Sequence, residues 1–413
     1  MKRIIYLLIF ALIVSCSKQI TEQPAPKPIE PAQPITLQAQ TRTILEQSNL
    51  FAFNFFKAVS QHQNENLFLS PYSMSAVLSM LYNGAAGETK AEIAKVLGMD
   101  GYTPDQVNSY YKELTTALLK VDPNTSLSLA NAVWARKGIT LKNPFVEVNQ
   151  DYYDAEVGTL DFSLPSALRT INDWCNEKTK GTIPEILNTI SPYTIVILAN
   201  AIYFNSFWTN GFDKSETANK PFNNINGTTS TVPMMHQKQL KLLYAQMDRC
   251  GMVTLPYSNN AFAMNLILPK EGEDIDDLIE DLDKESWQVM KSHSSITKVT
   301  LSMPRFKVEN NLELTNILIA MGMPKAFSNN ADFSAMLDDN SAKVSDVIQK
   351  SYISVDEEGT EAAAVTVIGM ETTAIEPESP IDEVIMVVDR PFIIAITEQS
   401  TGAILFMGKI TKL

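Results

Sequence analysis

The chain predicts an α+β domain. Stretches with helical spacing of apolar residues alternate with short apolar runs that stop at proline, and no repeat of solenoid length interrupts them. Its 413 residues are 45% hydrophobic and 19% charged, which supplies one large core or two modest ones and is too apolar a composition for disorder. The formal net charge of −14 argues against a nucleic-acid partner, because binding phosphate requires a basic face that releases counterions.

At the N-terminus, Met1-Lys2-Arg3 precede 11 apolar residues from Ile4 to Val14, followed by Ser15-Cys16. That run is too short to span a bilayer but suits the core of a secretory signal peptide. Leu12-Ile13-Val14-Ser15-Cys16 resembles a loose bacterial lipobox, which implies that Cys16 is lipidated and becomes the first residue of the mature chain; a plain signal peptide cleaved elsewhere is the alternative. Behind it, Thr21 to Pro34 holds 5 prolines and little to bury, as an extended tether would. The expected organisation is a signal peptide over 1–15, a lipidated cysteine and tether over 16–40, and a folded domain over 41–413.

Leu45, Leu50, Phe53 and Phe56 give residues 44–60 the pattern of an amphipathic helix. Ser70 can cap a second helix with Pro71 at its first position; Met74, Val77, Leu78 and Leu81 follow at helical spacing, and Gly84 ends it. Ala261 to Leu268 before Pro269, and Val299 to Met303 before Pro304, read as strands. Cys175 and Cys250 are expected to be small buried hydrophobes rather than a disulfide. His62, His236 and His293 lack metal-ligand spacing, so neither a metal nor a cofactor is expected. Without a Gly-x-Ser-x-Gly elbow, a Walker loop or a dinucleotide fingerprint, the chain reads as something enzymes act upon and not as an enzyme.

No Lys or Arg occurs between Lys350 and Arg390, and near the start of that interval lies Glu357-Glu358-Gly359-Thr360-Glu361-Ala362-Ala363-Ala364-Val365-Thr366. Even positions from 360 to 370 are Thr, Ala, Ala, Thr, Ile and Met, whereas charge appears only at odd ones, Glu361 and Glu371. A strand that lies over a packed core needs one small, uncharged face of this kind. An Ala-rich helix or an acidic surface loop accommodates the same residues.

The run resembles the proximal hinge of inhibitory serpins. Val388 to Ile396 is similar to the family's C-terminal signature and Gly402 to Lys409 to its closing strand, while Asn66 to Ser73 and Leu198 to Phe204 resemble two further blocks. The resemblance covers roughly residues 42 to 413. It implies a fold of three β-sheets with eight or nine helices and an exposed reactive-centre loop, in a monomer. Ser70, Ser73 and Asn200 match the family's shutter beneath the central sheet; Gln349 stands where His is usual and cannot titrate as His does. Trp208 matches the tryptophan at the top of the sheet, where insertion begins.

By this resemblance the chain is a suicide-substrate inhibitor of serine or cysteine proteases, cleaved in its loop to a covalent acyl complex and then trapping the enzyme by strand insertion. Counting from Gly359 at the family's usual hinge length puts the cleaved bond at Thr373-Ala374, with Met370, Thr372 and Ile375 as neighbouring candidates. No basic residue is near, so elastase-like or subtilisin-like enzymes fit better than trypsin-like ones. A non-inhibitory serpin acting as a binding or chaperone-like module is the alternative. The N-terminus adds an expectation of export to a bacterial cell envelope, with membrane attachment through Cys16, on either a periplasmic or a surface face.

Overall fold

The computed structural model of the chain describes residues 29–191, 193–338, 342–345, 347–360 and 383–413. The first part is mostly helical: α1 (Ala39–Ser60), β1 (Leu67–Leu69), α2 (Pro71–Gly84), α3 (Gly87–Leu97) and α4 (Pro104–Leu118). Then come β2 (Ser126–Arg136), α5 (Asn143–Tyr153), β3 (Glu156–Leu160), α6 (Pro165–Lys178) and β4 (Val196–Phe207). A β-rich stretch follows, with β5 (Ala218–Asn223), β6 (Thr229–Gln246), β7 (Cys250–Pro256) and β8 (Phe262–Pro269). Helices α7 (Ile275–Asp281) and α8 (Lys284–His293) lead to β9 (Ser295–Pro304), β10 (Phe306–Glu313) and α9 (Thr315–Met321). The chain closes with β11 (Ile348–Val355), β12 (Gly359–Thr360), β13 (Glu383–Val387), β14 (Phe392–Glu398) and β15 (Ile404–Ile410).

Local chemistry sets the ends of α2 where the sequence indicates: Ser70 Oγ accepts from the Ser73 N–H at 3.1 Å, Pro71 occupies the first turn, and Gly84 is the last helical residue. Helix α1 starts earlier than its apolar pattern, because the Gln38 N–H donates to Glu113 on α4 at 2.9 Å and anchors the preceding turn. Strand β9 likewise starts earlier, at Ser295, since its first residues pair with β6. Residues 32–37, inside the stretch expected to be a tether, contact the folded domain. The Ala32 N–H donates to Asn259 O at 3.0 Å, the Ile35 N–H to Ser400 Oγ at 2.9 Å, and Leu37 is buried. Leu37 is buried and Ile35 partly so, and the apolar surface they remove from water favours docking over an extended segment.

The strands form two hydrogen-bonded sheets among the described residues. Six run in the order β10-β11-β12-β4-β2-β3, and nine are assembled along β1-β15-β14-β8-β7-β6-β9-β13 with β5 on β6. The long β6 pairs with β9 over part of its length and with β7 near its end. It thereby joins what the family pattern counts as second and third sheets.

Between the two sheets lies the main core. Phe204 of β4 meets Phe262 and Phe406 of the larger sheet edge-on, at 5.6 and 6.2 Å between ring centres. Even-numbered β4 residues such as Ile202 and Phe204 face this core, while Ala199 and Ala201 face a second cluster under α6 with Trp134, Ile171, Trp174 and Cys175. Cys175 and Cys250 are free and buried, consistent with their reading as hydrophobes. Burial pushes the Cys175 thiol up to about 12 and the Cys250 thiol to about 11, so neither is a thiolate at neutral pH.

Gly408 of β15 shows how tightly the core strands approach, since a Cβ there would lie 2.6 Å from Leu67 O. Gly408→Ala is expected to destabilise the fold by about 1–3 kcal/mol through overpacking, seen as an earlier midpoint in urea unfolding.

Candidate functional site

Strands β4 and β11 are neighbours in the smaller sheet, yet among the described residues no ladder joins them directly. They are bridged by β12, where Gly359 pairs with Phe207 while Thr360 pairs with both Ser206 and Val355. Toward Val196 the facing edges border a cavity of about 370 Å³, lined among others by Ser73, Leu78, Ile186, Asn200, Val347 and Gln349. The site is therefore a slot between two strands, with one residue pair across its top and a polar cluster along its floor.

The top is held by the residues before Thr360. Glu357 is buried, and its carboxylate accepts from the Arg305 Nε–H at 2.7 and 2.8 Å, from the second guanidinium nitrogen at 2.7 Å, and from the Thr217 hydroxyl. Burial pushes this carboxyl up, but the Arg305 and Thr217 contacts outweigh it and hold the group below the ordinary glutamate range. Lys214 donates to Glu358, and that pairing raises the lysine above its usual value. Trp208 bonds the same turn twice, its indole N–H to Asp356 O at 2.9 Å and its backbone N–H to Glu358 O at 2.8 Å. Gly359 admits no side chain here, because a Cβ would lie 2.2 Å from Ser206 O.

The floor brings together the four polar residues picked out in the sequence. The Gln349 amide grips Ser70 from both sides, donating to Ser70 O at 2.9 Å and accepting from the Ser70 N–H at 3.1 Å, as a strand neighbour would. Ser70 Oγ donates to Leu405 O at 2.7 Å. Ser73 donates to Asn200 Oδ1, and the Asn200 amide donates to Asn131 Oδ1 at 2.8 Å. Gln349 on β11 and Asn200 on β4 thus each hold the start of α2, so the two walls are tied to a shared floor. None of these groups titrates between pH 5 and 8, which makes the floor insensitive to pH in that range.

Trp208, Glu357, Glu358, Gly359 and Thr360 gather at the top of the slot. Glu361, Ala362, Ala363, Ala364, Val365 and Thr366, the bond candidates Met370, Thr372, Thr373, Ala374 and Ile375, and Cys16 lie outside the described residues. Sequence reasoning misses Arg305, Thr217, Lys214 and Asn131. Arg305 reaches a glutamate 52 residues away, and no local pattern announces such a pairing. Its sole signal is a cation directly after the proline that ends a strand.

The sign of the Glu357 shift gives a prediction. A carboxyl held below its ordinary value of 4.5 contributes stability that is complete at neutral pH and is lost as pH falls through its lowered value. Arg305→Gln should cost about 2 kcal/mol at pH 7, the buried-pair figure being discounted because the guanidinium is partly exposed. The gap from wild type should begin to narrow as pH falls below 4.5 and vanish only below the lowered Glu357 value, which urea midpoints measured from pH 7 down through that range would reveal.

A family model described as Serpin (serine protease inhibitor) matches residues 46–413. A leukocyte elastase inhibitor of Xenopus laevis is 34% identical, over 88% of this chain and 97% of its own length. The crystal structure of tengpin, a thermophilic serpin, in its native state is similar with a TM-score of 0.82 and 30% identity, covering 93% of this chain and 97% of that one. A thyroxine-binding globulin complexed with thyroxine gives a TM-score of 0.79 at 31% identity, covering 90% and 99%. Such relatives are generally protease inhibitors rather than catalysts, although the globulin is named for binding thyroxine. The family model over residues 46–413, with relatives at 30% identity or more across about nine-tenths of the chain, identifies the chain as a member of the serpin family.

Proposed function

We propose that the chain is a suicide-substrate inhibitor of serine proteases of elastase-like or subtilisin-like type, with cysteine proteases as a second class that shares the acyl-enzyme step. The enzyme's nucleophilic oxygen attacks the Thr373 carbonyl, the bond to Ala374 breaks, and the new amine leaves with a proton supplied by the enzyme's own acid. The upstream loop stays joined to the enzyme as an ester and enters the slot as a strand before water can complete hydrolysis. Met370, Thr372 and Ile375 remain neighbouring candidates for the cleaved bond. The chain supplies bait, slot and stored strand pairing, and no catalytic group or cofactor.

The observation that carries this reading is the register of β12. Continued one residue at a time, it would set Ala362 between Phe204 and Ile353, Ala364 between Ile202 and Ser351, and Thr366 between Asn200 and Gln349. Thr360 turns its hydroxyl to Tyr257 in the core, so even-numbered residues would follow it onto the core face. Small residues would meet the bulky walls and a hydroxyl would meet the two amides. Glu361, on an odd position, would stay on the outer face. No even position from 360 to 372 carries a charge or proline that would bury an unpaired group.

The likeness to a thyroxine-binding globulin favours a second reading, a binding module that traps no protease. The uninterrupted small, uncharged face of the hinge argues for the inhibitor. At the cell, the reading continues as a monomeric lipoprotein of a bacterial envelope, held by a lipid on Cys16.

Mixing the folded domain with elastase-like, subtilisin-like and trypsin-like proteases should give an SDS-resistant complex with the first two and release a peptide that begins at Ala374. Clean cleavage without a complex would favour the binding module. Ala362→Pro should turn the inhibitor into a substrate cut at the same bond; a variant that traps protease at the wild-type ratio would refute insertion.

A further inference from the structure

Thr360 is buried, and its hydroxyl shares a hydrogen bond with the Tyr257 hydroxyl, itself fully buried on the core side of the slot. Among the described residues the phenol makes this one hydrogen bond. The Tyr257 ring is stacked on Trp208 at 4.4 Å and 11°, and Phe204 meets it edge-on at 5.2 Å. Trp208 in turn is fixed by its indole bond to Asp356 O. The phenol is thus aimed by two ring contacts, with Thr360 at its tip. Burial raises the phenol well above its ordinary value, so it stays protonated and able to donate.

Among the described residues, Thr360 is the rung at which one residue pairs with both β4 and β11. Fixing backbone to start a strand costs conformational entropy before further rungs repay it, so a first rung formed in advance lowers the barrier for the rest. We propose that Tyr257 is a positioning residue for strand insertion, its hydroxyl holding Thr360 in the first rung of the slot before the loop is cut. The proposal rests on the inhibitor reading. It differs from a mere packing role for Tyr257, which would fill the core equally well as phenylalanine. Its action falls after acylation, where insertion competes with hydrolysis, and leaves the approach of the protease unchanged.

Tyr257→Phe keeps the stacked ring and removes only the hydroxyl; Thr360→Val removes the partner while keeping the branched shape. A buried hydrogen bond of ordinary strength corresponds to about a fivefold slower insertion. The test counts the chains cleaved without trapping per SDS-resistant complex formed, using an elastase-like protease that wild type traps. Each single variant should raise that excess cleavage by about fivefold with an unchanged association rate, and the double variant should be no worse than either single. Wild-type ratios in both singles, or effects that multiply in the double, would overturn the proposal. Should Tyr257→Phe fail to fold, Thr360→Val alone reads the same seat, and a wild-type ratio there overturns it. A wild-type chain that traps none of the proteases overturns the inhibitor reading and the seat together, whereas wild-type trapping with unaffected variants overturns the seat alone.

Discussion

Two strands of one sheet, β4 and β11, are joined among the described residues only through the short β12 between them. The rest of the molecule is arranged around that constraint. Two facing sheet edges with no direct ladder between them among the described residues offer pairing to one further strand. The larger sheet keeps the slot's inner wall rigid through Phe204, Phe262 and Phe406, while α6 covers the opposite face through Trp134 and Trp174. The polar floor lets the walls share anchors on α2 in place of a direct ladder between them.

The top of the slot answers a different demand. On the proposed inhibitor reading, a strand that enters too early leaves no bait, so the residues before Thr360 must be held in place. Bidentate pairing of Arg305 with Glu357, two bonds from Trp208 and the close approach of Gly359 to Ser206 supply that hold. Each is a contact to the turn's backbone or to a buried carboxylate.

Much of this is legible in the amino-acid sequence. The cap and start of α2 follow from Ser70 and Pro71, whose local chemistry decides a helix end with little tertiary help. Ser70, Ser73 and Asn200 are reached through family blocks, because they are ordinary polar residues that composition alone leaves unremarked. The Arg305–Glu357 pair is invisible because it joins distant segments, and Tyr257 is invisible because a tyrosine in a turn looks like any other. The contacts of residues 32–37 with the domain are hidden for the opposite reason: the prolines nearby mask the pull of Ile35 and Leu37. The hinge itself stays ambiguous in sequence, since alternation over a few small residues suits a strand, a helix or a loop, and only the pairing of Thr360 with both walls supplies a direction.

Hydrogen exchange at the amides of β4 and β11, compared before and after a single cut in the loop, tests the central claim most directly. If the slot is the seat of an incoming strand, amides on the facing edges should exchange readily in the intact chain and become strongly protected once the loop is cut, with the outer β2 and β10 little changed. Equal protection of those edges before and after cleavage would contradict the account.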